Sequence, residues 1–518
     1  MSWKNYLRGR TQNPRFLWRM VIAILFTGLA AGFAAQFIPK SEASPSDSLI
    51  DTVTWARIAA EDGDLSTLLD SNTSFEDILM RVAFLNSGDP DAHRQAVQSS
   101  KLEPEHQRIV VELIQSVAGE EISTQLVKWA DAEPRLRFAN HAIGAYQVGQ
   151  RSFGAAAQRF EREGEWPDAN TSRKFALEAY QAANDAEAIE RLAEVIDYQS
   201  LITPRDELMI AEQRRDWPTI FWTIPKLVLA RFGLGAATVL AILAGVGWFA
   251  IALQLGQPKT QHGVRWWLCL LGVGTGFLSI WATHLINVWQ ELDWGITESD
   301  ELIDGIKFYV LGVGLREEFA KFLALLPLMP TIIRRKSRLE ALVVSACVGL
   351  GFAIIENMGY FARSGGLISM GRFLTANFAH MSMTGLIGLA FARAFWLKDA
   401  ASALSVFLIV VLSHGLYDAT IAVPALAEYS IVGMIIFILL SYQFFHEVRS
   451  LYTQRPETVS MTATFLFVVC VLTTITVTYA SYAVGFVPAL TLLVTDIGSL
   501  GLMVYMYLRE MPNSLVRD

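Results

Sequence analysis

Apolar and polar positions along this chain separate into two kinds of stretch. From about 41 to 220, Glu, Asp, Arg, Gln and Ala are mixed with isolated apolar residues; from 221 to 510, apolar runs follow one another with short polar breaks. Runs of about 20 apolar residues match the length a helix needs to cross a bilayer. Such runs lie near 232–255, 266–288, 306–330, 341–361, 373–396, 401–424, 429–446, 461–483 and 486–508, with a further one at 20–38. The pattern predicts an all-α polytopic membrane protein with about ten transmembrane helices and one large inserted polar domain.

Loop charges orient these spans, because Lys and Arg concentrate in cytoplasmic loops. Lys259 and Arg265, then Arg334, Arg335, Lys336 and Arg338, then Lys398, then Arg449 and Arg455 all fall on one side. The loop from Glu291 to Asp304 carries six acids (Glu291, Asp293, Glu298, Asp300, Glu301, Asp304) and no base, as an outer loop would. Arg363 and Arg372 run against the rule. Both termini then lie in the cytoplasm and residues 39–225 outside it, as expected of a multi-pass protein of the cytoplasmic membrane. The amino-terminal 1–19 holds five bases (Lys4, Arg8, Arg10, Arg15, Arg19) and no acid. Its apolar continuation, 20–38, exceeds a usual signal h-region and reads as an uncleaved anchor rather than a signal peptide.

The expected organisation is a basic cytoplasmic segment at 1–19, the anchor at 20–38, an extracytoplasmic helical domain at 39–225, two spans with the acidic outer loop at 226–305, a membrane core at 306–424, and further spans with a cytoplasmic tail at 425–518. Sparse Gly and Pro and frequent Ala, Glu, Gln and Leu favour helix in the inserted domain. Ala145-Tyr146-Gln147 recurs as Ala179-Tyr180-Gln181, an offset of 34 residues, the tetratricopeptide period. Gly149, Phe153, Ala157 and Phe160 between them suit the packing positions of a helical hairpin. A helical repeat and an unrelated bundle both fit, and either suits a binding surface for a protein partner better than a catalytic one.

Composition adds little to this patterning. The chain has 53% hydrophobic and 18% charged residues and a formal net charge of −8. No basic patch with interleaved aromatics points to nucleic acid. Cys269, Cys347 and Cys470 all lie in apolar runs, which disfavours a disulfide framework or a cysteine zinc site.

The informative residues are those that break the apolar runs. Glu317, Glu318 and Lys321 interrupt one span, and Glu356, His380 and His414 follow on the next three. An ionised group near a bilayer centre costs at least a few kcal/mol, so such residues face a polar cavity and work there. By helical pitch Glu317 and Lys321 share a face, while Glu318 points about 100° away. Phe352 pairs similarly with Glu356, His380 with Thr384, and His414 with Asp418. Measured along their spans, the four groups fall within roughly 10 Å of a common depth. A buried glutamate can act as general base toward water. Histidines can stabilise an oxyanion or bind a metal, and Asp418 can fix the tautomer of His414. Glu356, His380 and His414 with a water make a plausible Zn2+ set.

Glu317-Glu318-x-x-Lys321, Phe352-x-x-x-Glu356, His380-x-x-x-Thr384 and His414-x-x-x-Asp418 resemble the motif series of PrsW-type intramembrane proteases, relatives of the type II CAAX prenyl endopeptidases and bacteriocin-processing (CPBP) membrane proteases. The resemblance covers about 306–420. It implies an active site of Glu317, Glu318, Glu356, His380 and His414 that cleaves a membrane-anchored protein, an anti-sigma factor being the known kind of substrate. It leaves open a glutamate-activated water, with Glu317 as base, or a metal. No His-Glu-x-x-His pair is present to decide this.

Plainer readings stand beside it. Glu317 with Lys321 can be a register-fixing ion pair, and either histidine alone can be an interhelical contact. His284 suits a structural place, Asn357 and Thr384 suit supporting or helix-contact places, and His446 and Glu447 at a membrane edge need no special role. Gly272, Gly274, Gly276, Gly349 and Gly351 suit close helix packing. A catalytically silent scaffold of the same fold and a proton- or ion-coupled transporter are the alternative functions. The absence of a detectable inverted repeat disfavours the transporter.

Overall fold

The computed structural model describes residues 9–38, 69, 74–85, 89–230, 235–257, 263–363, 368–451 and 460–510. The expected cytoplasmic charges at Lys4, Arg8, Lys259 and Arg455 lie outside the described residues, as does nearly all of 39–73. Among the described residues every regular element is helical. The chain divides into two units, Met1–Ile38 with Ile224–Asp518, and Pro39–Thr223.

The inserted unit, 39–223, is a run of short helices with local caps. Ser74 Oγ accepts from the Asp77 amide, and Thr203 forms a reciprocal capping box with Asp206, which satisfies amides that a helix start leaves unpaired. Helices Ala139–Gly149, Phe153–Glu163 and Asn170–Ala182 pack on one another in sequence. Ala145 and Tyr146 are buried near the end of the first, and Ala179 and Tyr180 near the end of the third. Phe160 and Ala157, from the helix between, are fully buried beside them.

The other unit is a membrane-type bundle. Its principal helices are α1 (Pro14–Ala35), α2 (Ala236–Gly256), α3 (Trp266–Trp294), α4 (Leu315–Leu325), α5 (Arg338–Arg363), α6 (Ser369–Leu374), α7 (Ala376–Leu397), α8 (Ala400–Ala422), α9 (Ser430–Leu451), α10 (Met461–Val484) and α11 (Phe486–Glu510). Among the described residues seven helices are long and apolar enough to cross a membrane: α1, α2, α3, α5, α8, α9 and α10. Of the ten expected spans, 306–330, 373–396 and 486–508 are not in that set. The first two carry the polar residues of interest, which lower their hydropathy.

The 306–330 segment is also not one helix. A short helix, Leu302–Lys307, leads into π-helical turns at Phe308–Gly314, then α4, then a break before Met329–Arg335. Nor is Glu291–Asp304 wholly a loop. α3 continues to Trp294, so Glu291 and Asp293 sit on its last turns, and Gly295 ends it in a left-handed conformation. The 373–396 segment divides at Thr375 into α6 and α7.

α5 is the axis of the bundle, packing most extensively against α7, α3 and α2. At Gly349 a side chain would run into the His380 carbonyl of α7, so the missing Cβ permits this close approach. At Gly415 a side chain would collide with the Val310 backbone of the π-helical turns, which fixes α8 beside the start of α4. The beginning of α5 is tied by the fully buried Glu340, which accepts from Arg265 Nε at 3.0 Å and Arg335 Nη1 at 2.8 Å. Glu447, at an edge where no role was expected, holds Arg393 through two hydrogen bonds of 2.6 and 2.9 Å. α1 packs along α10, where Thr474 Oγ1 donates to the Ile24 carbonyl at 3.1 Å.

Candidate active site

Four helices bring the polar interruptions together. α4 follows the π-helical turns, whose wider bore disturbs the ordinary carbonyl pairing. Gln290 of α3 donates Nε2 to the Leu311 carbonyl there, at 2.9 Å. One turn later α4 presents Glu317, Glu318 and Lys321. All three are buried, Glu318 and Lys321 completely.

Lys321 is the hub. Its Nζ donates to Glu318 Oε1 at 2.8 Å, to Glu317 Oε2 at 3.3 Å and to His380 Nδ1 at 2.8 Å, which uses all three ammonium donors. It also lies 4.1 Å from the centroid of the Phe352 ring. Glu318 therefore does not point away from the Glu317–Lys321 face, as pitch alone suggested. Side chains at i and i+3 meet as readily as those at i and i+4, and the long lysine spans both.

The histidines can be oriented from their partners. An ammonium only donates, so His380 accepts at Nδ1 and carries its proton on Nε2. That N–H points at Glu356 Oε2, 3.0 Å away. His414 places Nδ1 2.9 Å from Glu318 Oε1. Its Nε2 lies 3.3 Å from Asp418 Oδ2 and 3.8 Å from Glu317 Oε2. The two imidazole centroids are 5.3 Å apart. The expected pairing of Asp418 with His414 is present, and Glu318 holds the other ring nitrogen. Among the described residues, the second oxygen of Glu318 is buried without a hydrogen-bond partner.

Donor atoms of Glu317, His380 and His414 all lie within 4.8 Å of one another. This differs from the set expected from sequence, in which Glu356 joined the two histidines. Glu356 instead faces His380 from behind and is paired with Arg372 Nη2 at 2.6 Å. The carboxylate–imidazole–imidazole donor set suits a divalent ion such as zinc. His414 fits with its Nδ1–H donating to Glu318, the usual arrangement behind a ligating histidine, once Nε2 is released from Asp418 Oδ2 3.3 Å away. His380 fits only if the Lys321 ammonium yields its place at Nδ1.

Asn357 accepts from Arg372 Nε and donates to Asn377. The Thr384 hydroxyl makes no hydrogen bond among the described residues and lies near Gly349 at the α5–α7 contact. Sequence reasoning missed Arg372 and Arg316. Arg316 is partly buried and reaches Asn287 and Gln290 of α3. The signal for Arg372 was present, because with Arg363 it was one of the two exceptions to the loop-charge rule.

Residues 263–442 match the family model described as PrsW family intramembrane metalloprotease. That segment contains all five expected site residues, so the motif resemblance and the family match fall on the same helices. No curated protein and no solved structure matches the chain.

Proposed function

We propose that this protein is an intramembrane endopeptidase that hydrolyses a peptide bond of a membrane-anchored protein, with an anti-sigma factor or another signalling protein as the class of substrate. The observation that carries this reading is the convergence of Glu317, His380 and His414 inside a segment of PrsW type. Glu317 is the group to activate water, because it is the less fully buried of the two α4 glutamates and faces both His414 and Lys321. Its carboxylate takes the water proton as the oxygen attacks the carbonyl carbon. The same proton passes to the departing amine as the C–N bond breaks.

Glu318 and Lys321 hold the frame. Glu318 orients His414, and Lys321 compensates both glutamates and fixes His380. Of the two histidines, His414, doubly protonated and with Nε2 toward Glu317, is the one that can donate to a developing oxyanion, since Glu356 holds the single N–H of His380. Glu317, His380 and His414 are also the residues that would hold a divalent ion, whose chemistry when bound is Lewis-acid activation of the attacking water. The Lys321 ammonium among the same donors supports the glutamate-based form of the reaction.

The same reading extends to topology. The segment carrying α4, together with α7 and α11, crosses the bilayer beside the seven apolar helices. α1 stays attached, and the inserted unit lies outside the cytoplasm. Its stacked hairpins form a repeat-like surface that selects the substrate.

The test compares membranes containing wild type with membranes containing Glu317→Gln, matched for expression, by mapping new protein termini. Loss of a general base costs about 10²–10⁴ in rate, so termini that depend on the enzyme disappear in the variant. Identical termini in both would leave the silent-scaffold reading in its place.

A further inference from the structure

Arg372 lies outside all four motifs, yet its side chain reaches the site. It is carried by α6, a six-residue helix between α5 and α7. Such a short helix has little stability of its own, and here it is held from several directions. Trp248 of α2 donates Nε1 to the Phe373 carbonyl at 2.7 Å. Tyr507 of α11 donates its hydroxyl to the Leu374 carbonyl. Ser369 Oγ and Thr476 Oγ1 of α10 are 2.8 Å apart. Ser369, Met370, Phe373 and Leu374 are all buried. Three helices without any motif residue thus anchor the one that carries Arg372.

From that anchored position the guanidinium engages one face of α5. Nη2 donates to Glu356 Oε2 at 2.6 Å, Nε donates to Asn357 Oδ1, and the plane lies 3.7 Å from the Tyr360 ring centroid. Asn357 is in turn bound to Asn377 of α7. Glu356 Oε2 accepts from Arg372 and from His380 Nε2 at once. The result is a continuous chain from Lys321 through His380 and Glu356 to Arg372.

We propose that Arg372 is a positioning residue for the hydrolytic site, holding the Glu356 carboxylate on His380 and so fixing the ring and tautomer of that histidine. This rests on the endopeptidase reading above. Without Arg372, the Glu356 side chain, about one-fifth exposed, is free to turn away from His380. His380 then loses the acceptor that orients its Nε2–H. A lysine cannot replace the arginine fully, because a single ammonium does not reproduce the planar fork that spans Glu356 and Asn357.

The experiment uses purified full-length protein in proteoliposomes with the substrate identified by the wild-type and Glu317→Gln comparison. Wild type, Glu317→Gln, Arg372→Gln and Arg372→Lys are measured for kcat, half-saturating substrate density and thermal midpoint. Removing a group behind an active-site histidine typically costs about 10- to 100-fold, so Arg372→Gln should lose that much kcat. Half-saturation should stay at the wild-type value, the variant should remain folded at the assay temperature as the thermal midpoint shows, and Arg372→Lys should recover only part of the rate. If Arg372→Gln matches wild type while Glu317→Gln is inactive, the inference on Arg372 is overturned and the endopeptidase reading stands. A rise in half-saturation with kcat unchanged would make Arg372 a substrate contact and would also overturn it. If Arg372→Gln does not accumulate, Arg372→Lys decides, and wild-type kcat in that variant counts against the inference. If wild type and Glu317→Gln do not differ, the endopeptidase reading falls and takes the inference with it.

Discussion

The inserted unit and the membrane bundle differ in where their charge clusters lie, although each buries single charged groups such as Arg173 and Glu340. In the inserted unit, ion pairs such as Arg137–Asp168, Arg162–Asp131 and Arg191–Glu161 lie at the surface, and the cores beneath are built of Ile, Leu, Val, Ala, Phe and Tyr. In the bundle, Glu318 and Lys321 are completely buried, and Glu317, His380 and His414 nearly so. Surface pairs are weak, with a median near 0–1 kcal/mol. Buried pairs carry a desolvation penalty that their mutual attraction barely repays, so they are poor devices for stability alone. Charge concentrated at the bundle centre therefore signals chemistry, whereas charge spread over the inserted unit signals solubility and local geometry.

The comparison is sharpened most by Lys321→Met, which removes the one cation among Glu317, Glu318 and His380. Breaking a buried pair on one side costs about 3–5 kcal/mol. The variant should therefore show a much lower thermal midpoint in detergent, and pairing it with Glu318→Gln should restore part of the loss. Additive losses in the double variant would mean that the charges are not coupled as the geometry indicates.

A second effect, about 1.4 kcal/mol for the first pH unit below 6.5, separates the units by pH. His141 of the inserted unit is fully buried, its Nδ1 2.8 Å from Ser172 Oγ, and burial pushes its pKa down to about 3. The unfolded chain takes up this proton near pH 6.5, and the folded one does not until about pH 3. The contribution is therefore complete above 6.5 and declines as pH falls through that window, by about 1.4 kcal/mol per unit. The hydrogen-exchange protection factors of Ala139–Gly149 and Asn170–Ala182 in the full-length protein, with the intrinsic exchange rate at each pH divided out, should fall below pH 6.5, and His141→Gln should flatten that dependence. A pH-independent protection factor in wild type would contradict it.

The smallest change is expected from Arg162→Ala. It breaks a half-exposed pair with Asp131, which Arg159 also holds. A loss below about 1 kcal/mol in the unit's denaturation midpoint is expected. A loss as large as that of Lys321→Met would erase the distinction between the two regions.

The site was legible in sequence to the extent that burial of charge is legible. Glu317, Glu318, Lys321, Glu356, His380 and His414 each break an apolar run, and counting residues along the expected spans puts the four polar groups at similar depth. Their division of labour was not legible. Pitch assigned Glu318 to another face because it treats side chains as directions rather than reaches, and Lys321 is long enough to bind both glutamates. The ligand-like grouping of Glu317 rather than Glu356 with the histidines depends on how α4, α7 and α8 cross, which no single span encodes. Arg372 appeared only as an exception to a charge rule, since its partners Glu356 and Asn357 are 16 and 15 residues away and meet it across a turn of the chain.

By itself the sequence determined that the chain is helical, that most of its carboxyl-terminal part is apolar enough for a bilayer, and which polar residues interrupt it. Those properties follow from residue type and period, which act locally. The tertiary structure decided which carboxylate faces which imidazole, where the π-helical turns break the first site helix, and that α2, α10 and α11 hold the short helix bearing Arg372. These depend on contacts between residues as far apart as 133 positions, as in the hydrogen bond from Tyr507 to Leu374. Such contacts exist only once the helices have packed, because side-chain reach and helix crossing, not periodicity, select the partners.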